Sequence, residues 1–275
     1  MFVQFVKKVF MENPLSRSQS VEDSVYAESF GQFLALGMEK TVLLEKIFSS
    51  FAFFPGTALL DIGAGNGELT IPLSRLSHTT VAIEPNAIFA ETLRGRGIEC
   101  LTECWEDAVV SDGSFDIVLA AFVVCHLATQ GLEASLARIL RTLRPGGHGF
   151  FCAMHPTEGD WRALHTLLYQ ADGQHFRVSS SVFLQEYMQR VGAKREELHL
   201  NLIAKTKEEI LDALRFDFVK TPSLLIQEAP QLDALLDSRK TNDGYVIDMV
   251  IEWYDYVRPQ KLVNRVYFQP PFTDF

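Results

Sequence analysis

The spacing of apolar and polar positions changes twice along the chain. From about Val25 to Phe54, apolar residues recur at helical spacing, which predicts two helices. From Thr57 the pattern turns to short β-rich runs, TALLDIG, TTVAIEP, IECLTEC, FDIVLAAFVV and GHGFFCAMH, separated by the helix-length segments GELTIPLSRLS, NAIFAETLRGRG and LEASLARILRTLR. Strands that alternate with helices and are apolar almost throughout predict a parallel sheet buried under helices on both faces. Downstream, SSSVFLQEYMQRVGA reads as a helix and ELHLNLIA as a strand. Thr206 and Glu209 form a capping-box signature opening TKEEILDALRFDF, and a second helical stretch, SLLIQEAPQLDALLDSR, precedes the strand GYVIDMVIEWYDYV. The organisation expected is a helical N-terminal cover over 1–55 and an α/β domain over 56–275 with a helical insertion at about 206–240.

The first residues carry Phe2, Val3, Phe5, Val6, Val9 and Phe10, broken by Lys7 and Lys8. The run is too short and mixed for a membrane span and no small-residue cleavage site follows, so a short amphipathic helix packed on the body is expected. No element is assigned to the tail after Arg258.

Composition narrows the partners. Apolar residues make up 47% of the 275, enough for a sizeable core. Lys and Arg number 25 against 35 Asp and Glu, a formal charge of −10 that disfavours nucleic acid and acidic membranes as partners. Cys100, Cys104, Cys125 and Cys152 form no C-x-x-C pair, which fits a reduced, cytoplasmic protein.

The chemistry concentrates in LLDIGAGNG, residues 59–67, where an apolar strand runs into Asp61 and then Gly63, Gly65 and Gly67 before a helix. Glycine serves a tight strand-to-helix turn that needs positive φ and a ligand lying close to the backbone. A dinucleotide fingerprint would put its third glycine at position 68, where the chain has Glu68. A negative residue at the helix start also argues against a pyrophosphate there, so the expected ligand is a nucleoside without phosphates. The P-loop, H-E-x-x-H and G-x-S-x-G patterns are absent from the sequence.

This motif resembles the first motif of the class I S-adenosylmethionine-dependent methyltransferases, acidic-x-Gly-x-Gly-x-Gly at the end of the first strand. Three further segments are similar in order: VAIEP ending in Glu84, DGSFDIVLAAF at 112–122, and LRPGGHGFF at 143–151. The resemblance implies a Rossmann-like, seven-stranded, mostly parallel α/β sheet with an antiparallel last strand and helices on both faces. It implies S-adenosyl-L-methionine as cofactor, S-adenosyl-L-homocysteine as product, and a small-molecule acceptor. Implied cofactor contacts are Asp61, the turn Gly63, Ala64, Gly65, Asn66 and Gly67, Glu84 and Pro85 at the ribose, and Ala121 and Phe122 after the fourth strand. Where many relatives have an Asp for the adenine amino group, this chain has Cys104, then Trp105, Glu106 and Asp107. Either Glu106 or Asp107 takes that contact with Trp105 near the base, or Trp105 is core and Glu106 a solvated helix start.

Methyl transfer needs a base only where the acceptor must lose a proton. His126, beyond the fourth strand, and His155, at the end of the fifth, both fall at the carboxyl edge of the sheet, where ligands of open parallel sheets bind. Each is a candidate base, with a site-lining role as the alternative for His126. Tyr26 is a candidate for the methionine carboxylate or a half-buried structural residue. Phe216, Phe218, Trp253 and Tyr254 are either core or the wall of an acceptor pocket. No metal is expected, because His148 and Cys152 share one face of a strand while His155 points to the other. Rival readings are a macromolecule methyltransferase, a non-catalytic cofactor-binding protein, and a related fold using the cofactor for aminopropyl transfer or decarboxylation.

Overall fold

A computed structural model describes residues 24–37, 39–128, 130–172, 176–218 and 223–260. The expected helix over the first ten residues and the tail after 260 lie outside that set. Two helices, α1 (Ser24–Leu36) and α2 (Glu39–Ser50), lead into β1 (Ala58–Ile62). The α/β alternation follows: α3 (Thr70–Ser74), β2 (Thr79–Ile83), α4 (Ala87–Gly95), β3 (Glu99–Leu101), β4 (Phe115–Ala121), a 3-10 turn (Val124–His126), α5 (Leu132–Thr142) and β5 (Leu143–Met154). Then come α6 (Asp160–Asp172), α7 (Phe176–Arg190) and β6 (Lys194–Ala204). The helices α8 (Lys207–Leu214), α9 (Ser223–Gln227) and α10 (Ala229–Asp237) precede the two-residue β7 (Lys240–Thr241) and the long β8 (Gly244–Val257).

The sheet order is β3-β2-β1-β4-β5-β8-β6, with β7 folded back on β8. The pairs β1 with β2, β1 with β4, β2 with β3 and β4 with β5 are parallel. β8 runs antiparallel between β5 and β6. The mostly parallel sheet with an antiparallel final long strand is therefore as expected, and the added strand is only the short β7 hairpin arm.

Side-chain alternation splits the core. Leu59, Ile117, Leu119, Phe150 and Cys152 face α1, α2, α6 and the helices after β6, while Leu60, Val118, Ala120, Phe151 and Ala153 face α5 and α7. α6 was not read from the sequence. Its apolar stripe, Trp161, Leu164 and Leu168, is fully buried on the first of these faces.

Local signals explain the boundaries. Asn86 caps α4, its side-chain oxygen accepting from the amides of Ile88 and Phe89 at 3.0 and 3.3 Å. At α8 the Thr206 hydroxyl accepts from the Glu209 amide at 3.3 Å, and the Glu209 carboxylate accepts from the Lys205 amide at 2.7 Å. Glu209 thus reaches one residue further back than in the standard box. Thr206→Ala is expected to lower stability by about 1 kcal/mol, read by urea denaturation; an unchanged midpoint would show the cap to be idle.

Candidate functional site

The glycine turn sits where β1 ends. Gly63, Gly65 and Gly67 have φ of 71°, 54° and 87°, a left-handed region that favours glycine. The amide of Gly63 donates to the Ile83 carbonyl at 2.8 Å, tying the turn to the end of β2. A side chain at Gly63 would meet Val123 at 2.5 Å, and one at Gly67 would meet Leu93 and Ile71 at 2.7 and 2.8 Å. At Gly65 the nearest atom is the Phe30 ring at 3.4 Å, so the central glycine is the one whose outer side is open apart from α1.

Glu84 follows β2 directly and is buried. Its Oε2 accepts from the Gly65 amide at 2.7 Å and its Oε1 from the Asn86 amide at 2.8 Å. An ionised carboxylate has about four acceptor directions, so each oxygen can still take a hydroxyl from a diol above the turn. Burial raises the Glu84 carboxyl from 4.5 to about 7; the amides of Asn86 and Gly65 oppose this and the Asp61 charge adds to it. Asp61 is pushed up to about 6 by burial, against the Thr70 hydroxyl that donates to its Oδ2 at 2.6 Å. Asp61 therefore fastens the start of α3.

Beside this cradle lies a cavity at the carboxyl ends of β4 and β5. Phe122, Val124, Cys125 and His126 line it after β4, with Ala153 and Met154 of β5. Tyr26, Phe30 and Phe33 of α1, Glu39 of α2, Trp161, Arg162 and Tyr169 of α6, Ser180 and Ser181 of α7, and Phe216 and Asp217 close it. Phe30 belongs to both spaces, since it also covers Gly65. Phe122 has a φ of 55°, a conformation that is uncommon outside glycine and recurs at ligand sites. Its amide donates to the Cys152 carbonyl at 2.8 Å, which fixes the chain as it leaves β4.

The residues expected at the site divide. Tyr26, Phe122 and His126 line the cavity, while Ala64 and Asn66 lie within the glycine turn that Glu84 braces, and Pro85 follows Glu84. Tyr26 stacks on Phe30 at 5.9 Å and meets Phe216 edge-on at 5.9 Å. Of the four aromatics left open, Phe216 is wall, whereas Phe218, Trp253 and Tyr254 are core. Ala121 ends β4, paired with Cys152. Trp105 is core: it is buried on the α5 side of the sheet with the Arg138 guanidinium 4.0 Å from its ring centre. Glu106 accepts from the Ala128 amide at 2.7 Å, joining the loops after β3 and β4, and Asp107 is exposed.

His155 is not brought to the cavity. Its Nδ1 accepts from the amides of Thr157 and Glu158 at 3.3 and 3.0 Å, so Nε2 carries the proton and points toward Glu197 and Glu252, both at 3.9 Å. These three residues are a ligand-type cluster with atoms within 4.8 Å of one another. A protonated Nε2 has no lone pair for a metal, and Arg195 already meets Glu197 and Glu252 at 2.5 and 2.7 Å.

Sequence reasoning missed the polar groups of α6. Arg162 is buried, with Nε donating to the His155 carbonyl at 2.6 Å and Nη2 to the Met154 carbonyl and the Ser181 hydroxyl at 3.1 and 3.3 Å. Burial lowers its pKa from the ordinary arginine value. His165, one turn on, donates from Nε2 to Asp217 at 2.8 Å, and the Tyr169 hydroxyl donates to the same oxygen at 3.1 Å.

The sheet order, the glycine turn and the acidic residue after β2 define the Rossmann-like methyltransferase fold. Residues 60–151 match the family model described as a methyltransferase domain, the segment that carries the motifs read from the sequence. Among curated proteins, a ubiquinone biosynthesis O-methyltransferase of Chelativorans sp. (strain BNC1) is 31% identical over 110 residues, 38% of this chain and 43% of that protein. A phosphoethanolamine N-methyltransferase of Triticum aestivum is 25% identical over 113 residues, 38% of this chain and 22% of that protein. The matched stretch is thus less than half the length of either relative. Among solved structures, the YcgJ protein of Bacillus subtilis aligns with a TM-score of 0.56 at 16% identity, covering 79% of this chain and 98% of that one. A phosphoethanolamine N-methyltransferase 2 of Haemonchus contortus, in complex with phosphomonomethylethanolamine and S-adenosylhomocysteine, aligns with a TM-score of 0.55 at 15% identity. It covers 90% of this chain and 61% of that one.

Proposed function

We propose that this chain is an S-adenosyl-L-methionine-dependent methyltransferase whose acceptor is a small molecule held in the cavity beneath α1. The observation that carries this reading is the juxtaposition of two spaces: a nucleoside cradle at Gly65 and Glu84, and a walled cavity that shares Phe30 with it. The matched relatives are named for O- and N-methylation of small molecules, which supports the substrate class. A cavity closed by helices on several sides suits a small acceptor better than a macromolecular chain.

S-adenosyl-L-methionine supplies an electrophilic methyl on a sulfonium. The acceptor's lone pair forms the new bond to that carbon while the carbon–sulfur pair stays on sulfur as a thioether. The protein's part is placement and exclusion of water. Glu84 would accept from the ribose diol, and the open side of the Gly65 turn would receive the nucleoside. Phe30 and Phe122 separate the ligand from solvent and aim the acceptor. His126, on the cavity wall, accepts the proton of an acceptor that must lose one.

Calorimetric titration of the full chain tests the reading, with NAD and ATP as controls. Micromolar binding of S-adenosylmethionine and S-adenosylhomocysteine alone is expected; absence of both would leave the fold without this function. Affinity is expected to depend on pH. Because folding raises the Glu84 and Asp61 carboxyls, the proton-linked stabilisation of the empty protein is fully present below about pH 4 and is lost as pH rises through 6 and 7. An ionised carboxylate accepts from a diol more strongly than the neutral acid, so affinity for S-adenosylhomocysteine should rise several-fold between pH 6 and 8. Glu84→Gln should flatten that rise, and a pH-independent affinity in the wild type would remove Glu84 from the contact.

A further inference from the structure

Glu39 opens α2 and lines the cavity, yet only 3% of it is exposed. Both carboxylate oxygens are sealed from solvent, and among the described residues neither has a hydrogen-bond partner from another residue. Buried carboxylates are ordinarily paired, because removing the charge from water is costly unless something replaces the hydration. Lys40, the next residue, meets Glu68 at 3.1 Å, and Arg162, which lines the same cavity, donates to two carbonyls and a serine hydroxyl. Burial raises the Glu39 carboxyl from its ordinary value, and its own amide and Lys40 offset this only in part.

The chain makes room for this group. A Cβ at Gly37 would stand 2.4 Å from the Glu39 Oε2 and 2.7 Å from Leu202, so glycine there lets the carboxylate tuck in. Rings line one side of the cavity: Phe33 stacks on Trp161 at 5.3 Å and meets Phe216 at 5.3 Å, while Arg162, Ser180, Ser181 and Asp217 form a polar side. An anion beside this ring face is complementary to an organic cation, which gains the carboxylate on one side and ring faces on the other.

We propose that Glu39 is the counter-ion for a protonated amine of the ligand bound in this cavity, so that the enzyme selects an acceptor bearing an ammonium group. The proposal rests on the small-molecule reading above. The same chemistry exists on the α-ammonium of S-adenosylmethionine, and the test separates the two sources.

The full chain and its Glu39→Gln and Glu39→Met variants are compared by thermal shift and calorimetry. The probes are matched amines and alcohols (2-phenylethylamine with 2-phenylethanol, cyclohexylamine with cyclohexanol, 4-aminobutanol with 1,4-butanediol), each with and without S-adenosylhomocysteine. S-Adenosylhomocysteine itself is compared with 5′-methylthioadenosine, which lacks the α-ammonium. The expected result is that an amine binds the wild type better than its alcohol and loses at least tenfold in Glu39→Gln, while S-adenosylhomocysteine does not. A loss confined to S-adenosylhomocysteine, with methylthioadenosine unchanged, would keep Glu39 as an ammonium site but move it to the cofactor and overturn the acceptor assignment. If neither an amine nor S-adenosylhomocysteine distinguishes the wild type from Glu39→Gln, the proposal is wrong. Both variants remove a buried charge, so without ligand they should melt no lower than the wild type; a clear fall in both would make Glu39 a structural group and also overturn it. Failure of S-adenosylhomocysteine to bind the wild type strikes the function reading instead, and the amine pairs measured without it still decide Glu39.

Discussion

Gly65→Arg is expected to weaken S-adenosylhomocysteine binding at least 100-fold while leaving the protein folded. The reason lies in what surrounds each glycine of the turn. Side chains at Gly63 and Gly67 would strike Val123, Leu93 and Ile71 at under 3 Å, so substitutions there damage the fold itself. At Gly65 the nearest atom is 3.4 Å away, and the cost to the protein is chiefly the φ of 54°, about 1–2 kcal/mol for a residue with a Cβ. That is a fraction of the roughly 5–15 kcal/mol by which a domain is stable. An arginine side chain occupies the space over the turn where the nucleoside must approach, and a 100-fold loss corresponds to about 2.8 kcal/mol. Calorimetry reports the affinity and circular dichroism the fold. Wild-type affinity in a folded Gly65→Arg would place the nucleoside somewhere other than over this turn. Glu84→Ala should also weaken binding, but it removes the acceptor of the Gly65 and Asn86 amides as well, so its effect combines lost contact with a loosened cradle.

What the sequence disclosed follows the range of the physics involved. The glycine turn, the carboxylate after β2, the Asn86-to-Glu84 neighbourhood and the Thr206 cap are set within a few residues, and period and motif reveal them. The place of Phe122 after β4 is legible, but nothing in its identity signals a φ of 55°; its amide is tied to Cys152, 30 residues on, a contact that local sequence does not reveal. His155 was placed correctly at the carboxyl edge, yet the direction of its ring is set by the amides of Thr157 and Glu158, which no spacing rule reveals. The sequence leaves Trp105 open between base and core; it is buried in the core with Arg138 of α5 over its ring, a long-range contact that no local pattern reveals. The helix α6 had a usable signal in Trp161, Leu164 and Leu168 at helical spacing. Missing it hid Arg162, His165 and Tyr169, so the polar half of the cavity went unread while its aromatic half was partly visible in Phe216.

The largest expected effect on stability is at Asp217, which joins α6 to the segment following α8. Asp217→Ala is expected to lower stability by about 3–5 kcal/mol, the scale for two buried donors that lose one charged acceptor. Its Oδ2 accepts from both His165 and Tyr169, at 2.8 and 3.1 Å, and all three side chains are buried. The other ring nitrogen of His165 faces the Trp161 carbonyl at 2.9 Å. Both nitrogens therefore meet oxygens, and with Asp217 gone Nε2 and the Tyr169 hydroxyl lose their buried acceptor. Arg162 loses as well, since the Asp217 charge favours its cationic form against burial. Asp217→Asn keeps an acceptor oxygen and should cost less than Asp217→Ala, whereas Asp217→Leu combined with His165→Phe removes both polar partners and should recover part of the loss. Because Phe216 and Asp217 line the cavity, loosening this joint should also raise the exposure of Trp161 to a fluorescence quencher. Urea denaturation measures the stability; a loss under 1 kcal/mol in Asp217→Ala would mean that the α6 joint is held by the rings of Phe216 and Phe218 alone.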